Sequence, residues 1–194
     1  MSYYAQYIES IDKTLKGLEV TDASGRSLDP EAGMEQWVSL TERTRERKGR
    51  HYFAGNGASA MMASHMSVDS TKNGGLPAHA FNDAAYLTAI GNDFGYDQVF
   101  SFPLEQYGGA DDLLITISSS GNSPNVVRAL ESARKLGMAT VTLSGMKPDN
   151  ASRKSGQLNF YLPAQTYGIV ECSHQVILHC WLDKVMDIRE WETE

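Results

Sequence analysis

Four serines stand close together at Ser118, Ser119, Ser120 and Ser123, with Gly121 and Asn122 among them and Pro124 directly after. They follow the apolar run L-L-I-T-I at 113–117. So many hydroxyls make poor core material, and they exceed what a helix cap uses. At the start of a helix, hydroxyl donors and free backbone N–H groups together suit a phosphate. Pro124 fits a first helical turn, where its missing N–H wastes no hydrogen bond. Two further polar clusters, G-N-G-A-S at 55–59 and G-N-D at 91–93, also fall at strand exits or helix starts. Taken alone, each of these two is ordinary turn chemistry.

The histidines and carboxylates form a second pattern. His65 and Asp69 are four apart and share a helix face. Glu171 and His179 are eight apart, again close to one face. Two helices that each offer an imidazole and a carboxylate can assemble a metal site or an acid/base pair, and the same spacing also suits solvated surface groups. His51, His79 and His174 have no such partner and read as structural or surface residues. No nucleophile elbow or zinc knuckle is present.

The elements that must position these groups alternate regularly. Tyr4, Ile8, Ile11, Leu15 and Leu18 recur at helical steps through 2–17. The polar stretch 21–30 reads as a linker or turn, and Asp29-Pro30-Glu31 starts a helix through about Arg47. Strands are expected at 51–55, weakly at 78–81, and at 113–117, 139–143 and 158–162; helices at 58–70, 85–93, 96–106, 124–136 and 169–188. Strands alternating with helices imply a parallel sheet covered on both faces. In such a fold ligands bind at the carboxyl ends of the strands.

Composition narrows the function. A chain of 194 residues with 41% hydrophobic content can bury one sizeable core. Its net charge of −7, with no basic stripe, argues against nucleic acid or an anionic membrane as the main partner. No segment reads as a signal peptide or transmembrane helix. Cys172 and Cys180 lie eight apart on one expected helix, about 12 Å at helical rise, beyond disulfide reach. A reducing cytoplasm is the expected compartment.

Five motifs in order carry a resemblance: F-A-G-N-G-A-S-A-x-x-x-S-H, L-T-A-I-G-N-D-F-G-Y-D-x-V-F, I-S-S-S-G-N-S-P-N-V-V-R-A-L, A-R-K-L-G-M-x-T-V-T-L-S-G and V-E-C-S-H-Q-V-I-L-H. Together they resemble the sugar isomerase (SIS) domain of phosphoheptose isomerases across about residues 33–188. The resemblance implies a three-layer α/β sandwich with a five-stranded parallel sheet flanked by helices. It divides the chain into an N-terminal helical extension, 1–32, and the SIS domain, 33–194. It implies a homotetramer with active sites at subunit contacts, and conversion of sedoheptulose 7-phosphate to D-glycero-D-manno-heptose 7-phosphate. Carried over, Ser118, Ser119, Ser120 and Ser123 match the phosphate loop, and Asn56, Gly57, Ala58 and Ser59 the first sugar-phosphate loop. Asn92 and Asp93 match the pair that reaches the open-chain sugar, and Glu171 a substrate-contacting position. His65, Asp69, Glu171 and His179 match the positions that hold one zinc per subunit, with Asp69 and His179 also the acid/base pair.

Asp69 stands where the family pattern has glutamate, and Glu171 where it has glutamine; S-T-K-N after Asp69 replaces a leucine-x-glycine-arginine pattern. Asp69 retracts its carboxylate by one methylene, and Glu171 adds negative charge that favours a divalent cation. Two other readings share the fold: a non-catalytic protein of the type that associates with the replication initiator DnaA, and a sugar-phosphate sensor. Retention of a carboxylate and a histidine at the acid/base positions favours the enzyme over the first. Lack of a helix-turn-helix or basic segment disfavours the second.

Overall fold

The computed structural model describes residues 1–192. Helix α1 (Tyr3–Lys16) leads into a hairpin, β1 (Glu19–Asp22) and β2 (Ser27–Leu28), and then α2 (Pro30–Glu46). The repeating part follows as β3 (His51–Gly55), α3 (Ala58–Lys72), β4 (Ala78–Ala80), α4 (Ala84–Asp93), a 3-10 turn at Tyr96–Gln98 and α5 (Ser101–Tyr107). It continues with β5 (Leu113–Ser118), α6 (Pro124–Leu136), β6 (Ala139–Gly145), α7 (Ala151–Ser155), β7 (Leu158–Leu162) and α8 (Tyr167–Val185).

One sheet runs in the order β2-β1-β7-β6-β5-β3-β4. Its five parallel strands, β3 to β7, are those expected. The hairpin adds two more, β1 lying antiparallel to both β7 and β2. The expectation of a linker at 21–30 is corrected here. Asp22 gathers the backbone N–H groups of Ser24 and Arg26 and both of their side chains into a tight turn. Val20 then anchors β1 against Gly33 of α2, where a side chain would not fit. Polar turn chemistry thus masked two very short strands. The helix expected at 96–106 is also divided, because Pro103 has no N–H to give and suits only the first turn of a new helix.

Alternation within the central strands fills both faces. Leu113, Ile115 and Ile117 join Trp37 of α2, Met66 of α3 and Trp181 of α8 in one core. Leu114 faces the other way, onto Val126, Ala129 and Leu130 of α6. Trp37 and Trp181 stack at 4.9 Å, and the Trp181 indole donates to Thr41 Oγ1 at 3.0 Å. From β3 the chain first moves outward to β4 and then returns to the opposite side as β5. Divergence of these two connections opens a crevice at the carboxyl ends of β3 and β5, where open α/β sheets bind ligands.

His51 and His174 are fully buried, and neither ring makes a hydrogen bond. Desolvation pushes both down to about 4, and neighbouring backbone groups offset this only in part. Between that value and the ordinary 6.5, the unfolded chain binds more protons than the folded one, so stability rises with pH and levels off above it. We expect the melting temperature to be constant above about pH 7 and to fall steadily toward about pH 5. Thermal melts across that range check this, and a flat profile would contradict it.

Candidate active site

The crevice is a cavity of about 240 Å³ lined by Asn56, Gly57, Ala58 and Ser59 from the β3–α3 turn, Ile117, Ser118, Ser119, Ser120 and Ser123 from the β5–α6 loop, and Tyr167 and Glu171 of α8. All eight loop residues assigned to phosphate and sugar-phosphate contacts therefore meet in one place. A larger cavity, about 670 Å³, opens beside β4 among Tyr52, Phe81, Tyr86 and Tyr107. Its wall is mainly aromatic, with Arg50, His79 and Asp83 at its edge, and it holds none of the residues assigned to the site from the sequence.

Backbone conformation shapes the smaller cavity. Gly57 precedes α3 with φ of 57°, and Gly121 crosses the serine loop with φ of 63°. A β-carbon at Gly121 would come within 2.0 Å of Asn150 Oδ1, so the loop can lie this close to the start of α7 only with glycine there. Helices α1, α2, α4 and α7 are capped by the side chains of Ser2, Asp29, Asp83 and Asn150. Helices α3, α6 and α8, which begin around the cavity, have no side-chain cap. Part of their first-turn donors is spent within the chain, Ser59 and Ala60 N–H on the Asn56 and Gly57 carbonyls and Val126 N–H on Asn125 Oδ1, and the partial positive charge of the helix starts remains for a ligand. Ser123 occupies the cap position of α6, yet its hydroxyl lies 3.4 Å from Ser118 Oγ instead. No lysine or arginine lines the cavity. The cavity offers a ligand hydroxyls, amides and helix dipoles, with the Glu171 carboxylate on its wall.

His65, Asp69 and His179 form a second group, one ligand atom from each lying within 4.8 Å of the others. His65 Nε2 is 3.2 Å from Asp69 Oδ2, and the two imidazole rings are 5.5 Å apart. Asn73 donates to the other Asp69 oxygen at 3.4 Å. Glu171, assigned to the same metal set, is not in this group and lines the serine cavity instead. His65 lies six residues beyond Ser59 on α3, about 9 Å along the axis; His179 lies eight beyond Glu171 on α8, about 12 Å. The two helices pack against each other, with the cavity at their starts and the triad about two turns further along the groove between them.

Asn92 and Asp93 sit on the exposed last turn of α4, bonded to each other at 2.8 Å and outside the cavity of their own chain. Two residues that the sequence did not single out approach it. Tyr96 donates to Asn56 Oδ1 at 3.3 Å, and Asn125 pairs with Asn56. Asn125 was open to inspection as the asparagine directly after the helix-starting proline. Tyr96 lies within the second quoted motif, but its approach to Asn56 depends on how the 3-10 turn places it.

A family model for the SIS domain matches residues 6–145. The phosphoheptose isomerase of Helicobacter pylori (strain ATCC 700392 / 26695) is 33% identical over 181 residues, 90% of this chain and 88% of that protein. The phosphoheptose isomerase of Geobacter sp. (strain M21) is 37% identical over 186 residues, 92% and 95% of the two chains. Among solved structures, phosphoheptose isomerase GmhA from Neisseria gonorrhoeae superimposes with a TM-score of 0.80 at 28% identity, covering 94% of this chain and 95% of that one. With the family model, the fold and sequence similarity over nine-tenths of the chain in agreement, the chain belongs to the phosphoheptose isomerase family of SIS-domain proteins, which are aldose–ketose isomerases.

Proposed function

We propose that this chain interconverts sedoheptulose 7-phosphate and D-glycero-D-manno-heptose 7-phosphate through an enediolate. One observation carries the assignment: an anion cradle without basic side chains shares a groove with the His65, Asp69 and His179 triad. The axial offsets, about 9 and 12 Å on α3 and α8, suit a sugar with its phosphate at one end and its carbonyl at the other. Turnover of sedoheptulose 7-phosphate by the purified protein is the direct test, and no turnover would overturn the assignment.

In this mechanism the cradle fixes the phosphate and so places C1 and C2 beside the triad. Asp69 removes the proton from the carbon next to the carbonyl, and the C–H electron pair moves to form the enediolate. His179 passes a proton between the two oxygens, and Asp69 returns its proton to the neighbouring carbon. Negative charge rises on those oxygens in the transition state, so positive charge held there lowers the barrier. His65 braces Asp69 from the same helix.

Two imidazoles and a carboxylate are a donor set that zinc takes, and three protein ligands leave a position open. His65, Asp69 and His179 would hold the ion, which when bound supplies Lewis-acid stabilisation of the enediolate charge. We expect protein purified without chelator to carry about one divalent ion per subunit, and His65→Ala to carry far less. Elemental analysis measures both. Metal-free native protein with full turnover would leave the triad as an acid/base cluster.

The groove lies on a surface that also exposes Met61 and Val68 of α3, Tyr167 and Val176 of α8, and Tyr3, Tyr4 and Ile8 of α1. Apolar helix faces of this extent call for a cover. In the proposed homotetramer, subunit contacts cover them, and a second subunit's Asn92 and Asp93 can reach the sugar. Met61→Glu should therefore dissociate the assembly and lower turnover, as measured by light scattering and assay. Among the described residues no helix is long and apolar enough to cross a membrane.

A further inference from the structure

Asn56 and Asn125 exchange hydrogen bonds through their amide groups. Asn56 Nδ2 donates to Asn125 Oδ1 and Asn125 Nδ2 donates to Asn56 Oδ1, both at 2.8 Å. Asn125 Oδ1 also accepts the Val126 N–H at 3.0 Å, and Asn56 Oδ1 also accepts the Tyr96 hydroxyl at 3.3 Å. Each amide oxygen thus has both lone pairs engaged, which fixes the plane and orientation of both groups. Asn125 is 2% exposed, so its amide acts within the protein and does not reach into solvent.

The two residues belong to the two loops that make the anion cradle. Beyond the β3–β5 pairing, which ends at Gly55 and Ile117, no backbone hydrogen bond joins these loops among the described residues. The asparagine pair bridges them at the switch point, where their chains diverge. We infer that Asn125 is a positioning residue for substrate: through Asn56 it holds the first turn of α3 at a fixed distance from the serine loop of α6, so that both sets of donors meet one anion. Tyr96 completes the brace from the 3-10 turn. The inference rests on reading the cradle as the phosphate site.

Sulfate, a dianion that does not titrate near neutral pH, is the probe. Asn125→Ala should weaken sulfate binding about tenfold, by loss of pre-organised donors, and should raise KM for the sugar phosphate more than it lowers kcat. Asn125→Asp gives a sharper signature. Its neutral carboxyl keeps an O–H to donate to Asn56 Oδ1, whereas the ionised form sets oxygen against oxygen beside the bound anion. The ratio of its sulfate affinity to that of native protein should therefore fall as pH rises from about 5 to about 8. Glu171 and Tyr167 of α8, Tyr96, and the Arg128–Asp97 pair between α6 and the 3-10 turn are the charged or titratable groups around the brace. They are present in both proteins, and native protein measured at each pH is the control for their contribution. Tyr96→Phe, at a surface position, should cost about two- to threefold. A purely structural role would lower the melting temperature of these variants and leave sulfate affinity of the folded fraction unchanged.

Ser119→Ala with Ser123→Ala separates the two possible failures. If the serine variant loses sulfate and the Asn125 and Tyr96 variants do not, the positioning role is wrong and the cradle stands. If sulfate fails to bind native protein, or binds the serine variant equally well, the cradle reading falls and the inference with it. Should Asn125→Ala not fold, the pH dependence of Asn125→Asp, which is isosteric in its neutral form, decides alone.

Discussion

Asp69→Asn is expected to lower turnover by about 10²- to 10⁴-fold, the usual contribution of a positioned general base. The amide keeps the size of the side chain and can still meet His65, which lies 3.2 Å from one Asp69 oxygen in the native chain, but it cannot accept a proton. Turnover in heavy water gives the decisive reading. A proton-transfer route brings solvent deuterium into the sugar at C1 or C2, according to direction, whereas a hydride shift excludes it. Native protein should show exchange and Asp69→Asn should show none. Asp69→Glu lengthens the side chain to the residue of the family pattern and should remain active. His179→Ala should also lose exchange, and its metal content distinguishes a lost acid/base group from a lost ligand. Full exchange by Asp69→Asn would remove Asp69 from the role of base and leave His179 to fill it.

Most of this site was legible because its residues are local in sequence. The serine loop lies within six positions, and helical spacing puts His65 and Asp69 on one face without any tertiary knowledge. Strands β5, β6 and β7 are almost wholly buried, and their β-branched and apolar runs are bounded by turns. The hairpin was hidden for the opposite reason. Each of its strands spans at most four residues, and its turn is built from Asp22, Ser24 and Arg26, the composition of a loop. The partition of Glu171 from His179 follows from helical rise: eight residues place them on one face but about two turns apart along the groove. Helical periodicity gives direction around an axis, and here distance along it decided which ligands meet. The Asn56–Asn125 brace joins residues 69 apart, and only the strand order brings them together.

The second large effect concerns the phosphate. Ser119→Ala together with Ser123→Ala should raise KM for sedoheptulose 7-phosphate about a hundredfold or more, since each lost hydroxyl withdraws a charge-assisted bond from an anion that no lysine or arginine neutralises. The fold should persist, because neither hydroxyl caps a helix: Ser123 makes no capping bond, and Ser119 is held in place by its backbone carbonyl, which accepts the Gly145 N–H at 3.1 Å. Comparison with sedoheptulose lacking its phosphate separates binding from chemistry. The native protein should prefer the phosphorylated sugar by a wide margin, and the double variant should lose most of that preference while handling the free sugar as the native protein does. If kcat falls together with affinity, phosphate binding energy is being used to hold C1 and C2 against Asp69 and His179. If only KM rises, the cradle serves capture alone. An unchanged preference for the phosphorylated sugar would mean that the hydroxyls do not touch the phosphate, and the anion would have to be held by the positive ends of the helix dipoles of α3, α6 and α8 alone.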